Sequence, residues 1–190
     1  MPEAFMKIND STKLLILFGC GSLTSLTAHS LTHDAGRTVV AMTVDAAYLL
    51  TDRHEGYPVV AFEELVNLFP PDRHDIMLPI GYRRINELSL ERFEQAKAMG
   101  CHVASYVSSR ASVWPDLVVS ENVIIFEQAI IQSFVSIGNN AIIRSGAYIG
   151  HHSQVGDHAF VASGVVTGSN VTIGERCWIG LGRSCVTTLR

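Results

Sequence analysis

The sequence predicts an α/β domain over residues 1–108 followed by a parallel β-helix of hexapeptide repeats over residues 109–190. Three observations predict it. In the first half, short apolar runs alternate with helical patterns, the signature of βαβ units around a sheet. From Ala111 onward the helical pattern vanishes and a period of six takes over. Every sixth residue from Val113 reads Val113, Val119, Ile125, Ile131, Ile137, Ile143, Ile149, Val155, Val161, Thr167, Ile173, Ile179 and Cys185, eleven of thirteen being Val or Ile, in a register that never slips. Third, glycine follows the branched residue at Gly138, Gly150, Gly156, Gly168, Gly174 and Gly180. A branched residue pointing inward and a glycine at the corner turn three flat faces per coil, so the array holds about four coils. Antiparallel hairpins, with period two and variable loops, do not keep such a register.

In the first half, a strand spans Lys13–Phe18, the turn Gly19-Cys-Gly-Ser22 follows, and a helical stretch runs to about Leu31. A second strand, Thr38–Val44, ends at Asp45. Phe62–Phe69 reads as a helix stopped by Pro70 and Pro71. A strand over Asp75–Pro79, the segment Ile80–Asn86, a helix over Ser89–Met99 and a closing strand over Cys101–Val107 complete the sheet. In the repeats a second column lies two residues before the branched one and holds mostly small residues, such as Ala129, Ala141, Ala147, Ser153 and Ala159.

Composition narrows the function. The net charge is −4 and the basic residues are scattered, so no patch exists to neutralise successive phosphates, and nucleic acid is not expected as a partner. No apolar run has the length of a membrane span or a signal-peptide core, which reads as a soluble, cytoplasmic protein. The four cysteines, Cys20, Cys101, Cys177 and Cys185, lack CxxC or zinc-ligand spacing, so neither a disulfide framework nor a metal is expected.

The segments at 141–158, AIIRSGAYIGHHSQVGDH, and 170–175, NVTIGE, with the glycine-bearing turn of the first domain, resemble the sugar O- and N-acyltransferases of the sialic acid O-acetyltransferase (NeuD-like) family. The resemblance covers most of the chain. It implies a Rossmann-like domain that binds a nucleotide-linked sugar, a left-handed β-helix, an active homotrimer, and acetyl-CoA between neighbouring β-helices. Left-handedness comes from the resemblance alone, since local sterics favour right-handed crossovers. The resemblance also implies acyl-CoA contacts at Gly168, Ser169 and Gly180. Two departures stand out: Leu23 falls where the family commonly has a histidine, and the array reaches Arg190 without the closing coils and tail that usually complete the acyl-CoA site.

Acyl transfer from a thioester to an amine or hydroxyl needs a base, and a neutral histidine suits this near neutral pH. His151 and His152 lie beyond the inward Ile149, at a corner facing outward. Ala147-Tyr-Ile-Gly-His151 matches the family's pattern for the catalytic histidine, so His151 is expected to be the general base. His152 is its neighbour and could orient the acceptor. His158 reads as a surface side chain and Asp157 as a turn residue. Cys177 heads a hexapeptide and points inward, so direct attack in a ternary complex is expected rather than an acyl-enzyme.

For the sugar nucleotide, Gly19 and Gly21 shape a turn that opens a helix and could hold a phosphate on its backbone N–H groups. Asp45 ends the second strand, where such domains bind a ribose or sugar hydroxyl. Gly81, Arg83 and Arg84 follow the strand at the same sheet edge, where a guanidinium could pair with a diphosphate. Two other classes compete. A trimeric scaffold would need no cleft histidines, and an NAD-dependent oxidoreductase would need a fuller glycine fingerprint and a longer first domain.

Overall fold

The computed structural model describes residues 11–82, 84–115 and 117–186. The α/β domain comprises β1 (Leu14–Phe18), α1 (Ser22–His33), β2 (Val39–Val44), β3 (Arg53–His54), β4 (Tyr57–Ala61), α2 (Leu65–Leu68), β5 (His74–Met77), α3 (Glu87–Ala98) and β6 (His102–Val103). Its sheet has the order β3-β4-β2-β1-β5-β6. All neighbours are parallel except β3 and β4, which form an antiparallel edge hairpin, making the sheet mixed. The hairpin turns on Glu55 and Gly56, both at positive φ, which suits the right-handed twist of the flanking strands.

The apolar run of β1 is explained by burial on both faces. Leu15 and Leu17 pack with Ala28 and Leu31 of α1, while Ile16 and Phe18 pack with Phe62, Leu65, Phe93 and Ala96 on the other face. The helix expected over Phe62–Phe69 is a 3₁₀ turn at Phe62–Glu64 followed by the short α2. Only the first part of the expected closing strand joins the sheet: His102–Val103 pairs with β5, whereas Tyr106–Val107 pairs with Ile124–Ile125 and begins the coils.

The repeats form three parallel ladders. The first face stacks Tyr106–Val107, Ile124–Ile125, Ile142–Ile143, Phe160–Val161 and Trp178–Ile179. The second stacks Ser112–Val113, Ile130–Ile131, Tyr148–Ile149, Val166–Thr167 and Ser184–Cys185. The third stacks Val118–Val119, Ser136–Ile137, Gln154–Val155 and Thr172–Ile173. This parallel stacking fits a left-handed β-helix. Ile125, Ile131, Ile143, Ile149 and Val161 have no exposed surface, so the column read from the sequence is the inward core. Each such side chain contributes roughly 1.5–3 kcal/mol by burial.

The corners differ from the expectation that glycine makes the turn. Left-handed backbone falls three residues after the branched position, at Asn122, Gln128, Phe134, Asn140, Gly146, His152, His158, Gly164, Asn170, Arg176 and Gly182. At Gly138, Gly150 and Gly156 the glycine directly after the branched residue serves close packing instead. A Cβ on Gly150 would stand 2.2 Å from the carbonyl oxygen of Gly168, one coil further on.

The α/β domain covers the first face, which is why its outward residues Tyr106, Ile124 and Ile142 are buried in the same cluster as Leu15 and Leu17. Asp34, beyond α1, clamps the first coil by accepting from the Tyr106 hydroxyl at 2.6 Å, the Ser109 N–H at 2.9 Å and the Ser109 hydroxyl. Burial opposes ionisation of Asp34, but the hydrogen bonds from Ser109 and Tyr106 outweigh it and hold the carboxyl down to about 2. A second seam runs along the corner between the third and first faces. There Asn122 exchanges hydrogen bonds with the backbone of Leu78, Asn140 binds Ser89 of α3, and Asn86 donates to the carbonyls of Arg176 and Cys177.

Candidate active site

His151 and His152 lie on the corner between the second and third faces, and both side chains are exposed. Their Nδ1 atoms are 2.9 Å apart. The His152 ring packs against Phe134, with centroids 4.6 Å apart. The carbonyl of His151 accepts the Asn170 N–H at 2.9 Å, and the His152 N–H donates to the Ser133 carbonyl at 3.2 Å, so this corner is tied to the coils on both sides.

Two exceptions to the repeat columns support the same corner. Thr167 replaces a valine or isoleucine in the inward column, and its buried hydroxyl accepts the N–H of Gly150 at 3.0 Å. Ser153 replaces alanine in the small column, and its hydroxyl accepts the Val171 N–H at 3.1 Å while lying 3.4 Å from the Gly168 carbonyl. A hydroxyl in a packed core is tolerated when it is hydrogen-bonded, and here one bond fixes the Gly150 backbone next to His151 and the other the Val171 backbone of the following coil. Thr167, Ser153 and Phe134 were not singled out from the sequence. The first two were visible there as breaks in the columns.

Gly168 and Ser169 stack directly above Gly150 and His151, so the corner brings the expected residues His151, His152, Gly168 and Ser169 together. Gly150 is buried beneath the backbone of Gly168 and Ser169, while Gly168 is half-buried and Ser169 exposed beside His151. Gly180 lies on a different corner, between the first and second faces, with Trp178 packed beside it.

The other expected residues gather at the C-terminal edge of the sheet. Gly19 has φ 103° and its N–H is already donated to the Thr43 carbonyl at 2.7 Å; Gly21 caps α1 with its backbone. Asp45 is held in a two-pronged ion pair by Arg92, at 2.7 and 2.8 Å, on the wall of a cavity of about 350 Å³ that Phe62, Glu63, Gln95 and Met99 also line. Gly81 follows β5. Arg84 is exposed and pairs with Glu87 and Glu91 of α3 at 2.9 and 3.1 Å. Arg83 lies outside the described residues.

His158 corrects an expectation. It is 6% exposed, not a surface side chain, because its corner faces α3: Asn140 lies 2.8 Å from its Nδ1 and the Phe93 ring packs against it. Burial pushes its pKa below the ordinary 6.5, outweighing the opposing pull of Asp157, Glu175 and Glu94. A histidine depressed in the native state gives up stability as pH falls below its unfolded value, because the unfolded chain takes the proton first. The melting temperature is therefore expected to drop as pH is lowered from about 7 towards 5.5, and His158→Asn, which tolerates the left-handed corner, should flatten that drop. An unchanged slope in the variant would remove His158 from this role. Asp157 is a turn residue, as expected: its Oδ1 accepts the Asn139 N–H at 2.7 Å.

The thiols are not poised as nucleophiles. Burial raises the pKa of Cys101, burial and then Glu55 raise that of Cys20, and burial and then the neighbouring Cys177 raise that of Cys185. Cys177 is half-buried at the head of its hexapeptide. Among the described residues there is no cluster of three or more metal-ligating side chains, and no helix is long and apolar enough to cross a membrane.

Residues 116–151 match the family described as bacterial transferase hexapeptide (six repeats). The whole chain shares the fold of sugar N-acetyltransferases. It superposes on a histidine-to-asparagine variant of perosamine N-acetyltransferase from Caulobacter crescentus, in complex with CoA and GDP-perosamine, with a TM-score of 0.78 and 23% identity over 94% of this chain and 91% of that one. The acetyltransferase domain of PglB from Neisseria gonorrhoeae FA1090 matches with a TM-score of 0.75 and 18% identity, covering 94% and 93% of the two chains. The same domain in complex with acetyl coenzyme A matches with a TM-score of 0.54 and 22% identity, covering 92% and 96%. No curated protein sequence matches the chain.

Proposed function

We propose that this protein is an acetyl-CoA-dependent acetyltransferase that acylates an amino or hydroxyl group of a nucleotide-linked sugar, with His151 as general base. The observation that carries this reading is the corner itself: an exposed histidine pair, 2.9 Å apart, where two core hydroxyls in place of apolar column residues bind the backbone of this coil and the next. The solved structures sharing the fold hold CoA, acetyl-CoA and GDP-perosamine, which supports the same classes of donor and acceptor here.

In this reading the first domain is a Rossmann-like module that offers the sheet edge around Gly19, Asp45 and Gly81 to the sugar nucleotide, and residues 109–190 form the left-handed catalytic β-helix. Neutral His151 takes the proton from the acceptor as its lone pair attacks the thioester carbonyl. The C–S bond breaks, and the departing sulfur receives that proton from the imidazolium, so the products are the acylated sugar and free CoA thiol. Gly168 and Ser169 border the path of the acyl arm.

The outward side of the second face presents Ile130 and Val166, 36% and 47% exposed, with half-buried Tyr148 between them. An apolar strip of this kind favours self-association, and the protein is read as a cytoplasmic homotrimer. Light scattering at micromolar concentration should give three times the chain mass of 20.7 kDa; a monomeric mass would contradict the trimer. The transferase reading is tested by release of CoA thiol from acetyl-CoA when a nucleotide-linked sugar is added.

A further inference from the structure

The outward side of the first face ends in an aromatic pair that the α/β domain leaves open. Tyr106, Ile124, Ile142 and Phe160 are buried along this face, whereas Trp178, in the next coil, is 49% exposed. Tyr82, in the segment after β5, stacks on the Trp178 ring, with centroids 4.9 Å apart and planes 25° from parallel. It also makes a T-shaped contact with the Phe160 ring at 5.4 Å. Tyr82 itself is 53% exposed, so the stack presents a flat apolar surface to solvent.

The backbone that follows Tyr82 is strained. Arg84, Ile85 and Asn86 are left-handed in succession, at φ 53°, 51° and 62°. That conformation is disfavoured for residues with a side chain, and most of all for a β-branched one such as Ile85. Asn86 pins it: its buried amide donates to the carbonyls of Arg176 and Cys177 at 3.0 and 3.1 Å, directly before Trp178. The same two bonds therefore tie the turn that follows Tyr82 to the strand that carries Trp178. Strain held in place by its surroundings is concentrated at ligand clamps and other functional segments.

The sheet order decides which part of a ligand meets this surface. β1 stands between β2 and β5, so the turn at Gly19 and Gly21 lies between Asp45 on one side and Gly81 and Tyr82 on the other. A sugar nucleotide with its ribose at Asp45 and its diphosphate at the turn directs its sugar towards Tyr82 and Trp178. We propose, resting on the transferase reading, that Tyr82 and Trp178 form a platform for the acceptor sugar, a pyranose that lays a face of ring C–H groups on the aromatic rings. The electron-rich ring face attracts those C–H groups, and burial of both apolar surfaces adds to the attraction. The hydroxyl and amino groups at the sugar's edge stay free to react. The His151 corner lies across the prism from the first face, so a sugar seated here meets the His151 of a neighbouring copy in the proposed homotrimer.

Binding measured without turnover tests the platform. Calorimetry on the whole protein compares two pairs of probes, UDP beside UDP-glucose and GDP beside GDP-mannose. In at least one pair the attached sugar is expected to tighten binding about 10-fold, the effect of covering one ring face. Trp178→Ala and Tyr82→Ala should each remove that gain without changing the affinity for the free diphosphate, and Tyr82→Phe should keep it. A second readout leaves both rings of the platform intact. The chain has two tryptophans, so in Trp114→Phe the emission of Trp178 should change with the sugar nucleotide and not with the free diphosphate. An undiminished sugar gain in Trp178→Ala, or an emission that ignores the sugar, would overturn the proposal. So would a smaller oligomeric mass in Trp178→Ala or Tyr82→Ala, which would make the pair an interface between copies. Failure of all four probes to bind would overturn the platform together with the sugar-nucleotide reading. A sugar gain lost in Trp178→Ala, with no release of CoA thiol by the unaltered protein, would leave the platform standing and count against the transferase reading.

Discussion

Replacing His151 with alanine is expected to lower kcat for CoA release by about 10²–10⁴-fold, the usual worth of a positioned general base. Oligomeric mass and melting temperature should stay close to those of the unaltered protein. The side chain is exposed and lies outside the inward column, and the main-chain bond from Asn170 to the His151 carbonyl does not depend on it. A melting temperature several degrees lower would mean that the ring holds the corner together, and the loss of rate could then no longer be assigned to chemistry.

The second large effect is expected at Gly150. A Cβ there would stand 2.2 Å from the Gly168 carbonyl oxygen, 2.5 Å from its carbonyl carbon and 2.8 Å from the Ser169 nitrogen. All three are backbone atoms of the next coil, so no side chain can swing away and the ladder itself must shift. Gly150→Ala should therefore cost about 3 kcal/mol or more, a fall in melting temperature of roughly 6 °C or more for a chain of this size. Gly168→Ala is the contrast. Its nearest neighbours among the described residues would be 3.7 Å from the new Cβ, an ordinary contact, and its backbone has no positive φ. Thermal unfolding of the two variants side by side checks the distinction. Equal melting temperatures would show that the coils are spaced more loosely at this corner than the stacked glycines indicate.

The inward column was legible because each residue in it repeats one environment: Ile125, Ile131, Ile143 and Ile149 all meet the same closed interior, and a period of six records it directly. The corners were less legible. Their left-handed position holds Asn, Gln, Phe, His, Arg and Gly by turns, since the ladders on either side impose the backbone whatever residue stands there. The glycine after the branched residue looked like the turn maker, but at Gly150 and Gly156 it answers to the coil above.

At the candidate site, the outward corner and its histidines could be read from the repeat register, whereas the choice of His151 as base came from the family pattern. Which corner faces solvent could not be read at all. His152 and His158 occupy the same register position six residues apart, yet α3 covers only the corner of His158, through Ser89 and Phe93. The Asp45–Arg92 pair was hidden for the same reason: it joins residues 47 positions apart, through a helix whose orientation no local pattern reveals.

Release of free CoA thiol from acetyl-CoA, measured against a panel of nucleotide-linked amino and hydroxy sugars with the unaltered protein beside His151→Ala, tests the transferase assignment most directly. The predicted result is turnover with at least one acceptor sugar and its loss in His151→Ala. Absence of turnover across the panel, with calorimetry showing that acetyl-CoA does not bind, would contradict the assignment and leave the β-helix as a scaffold.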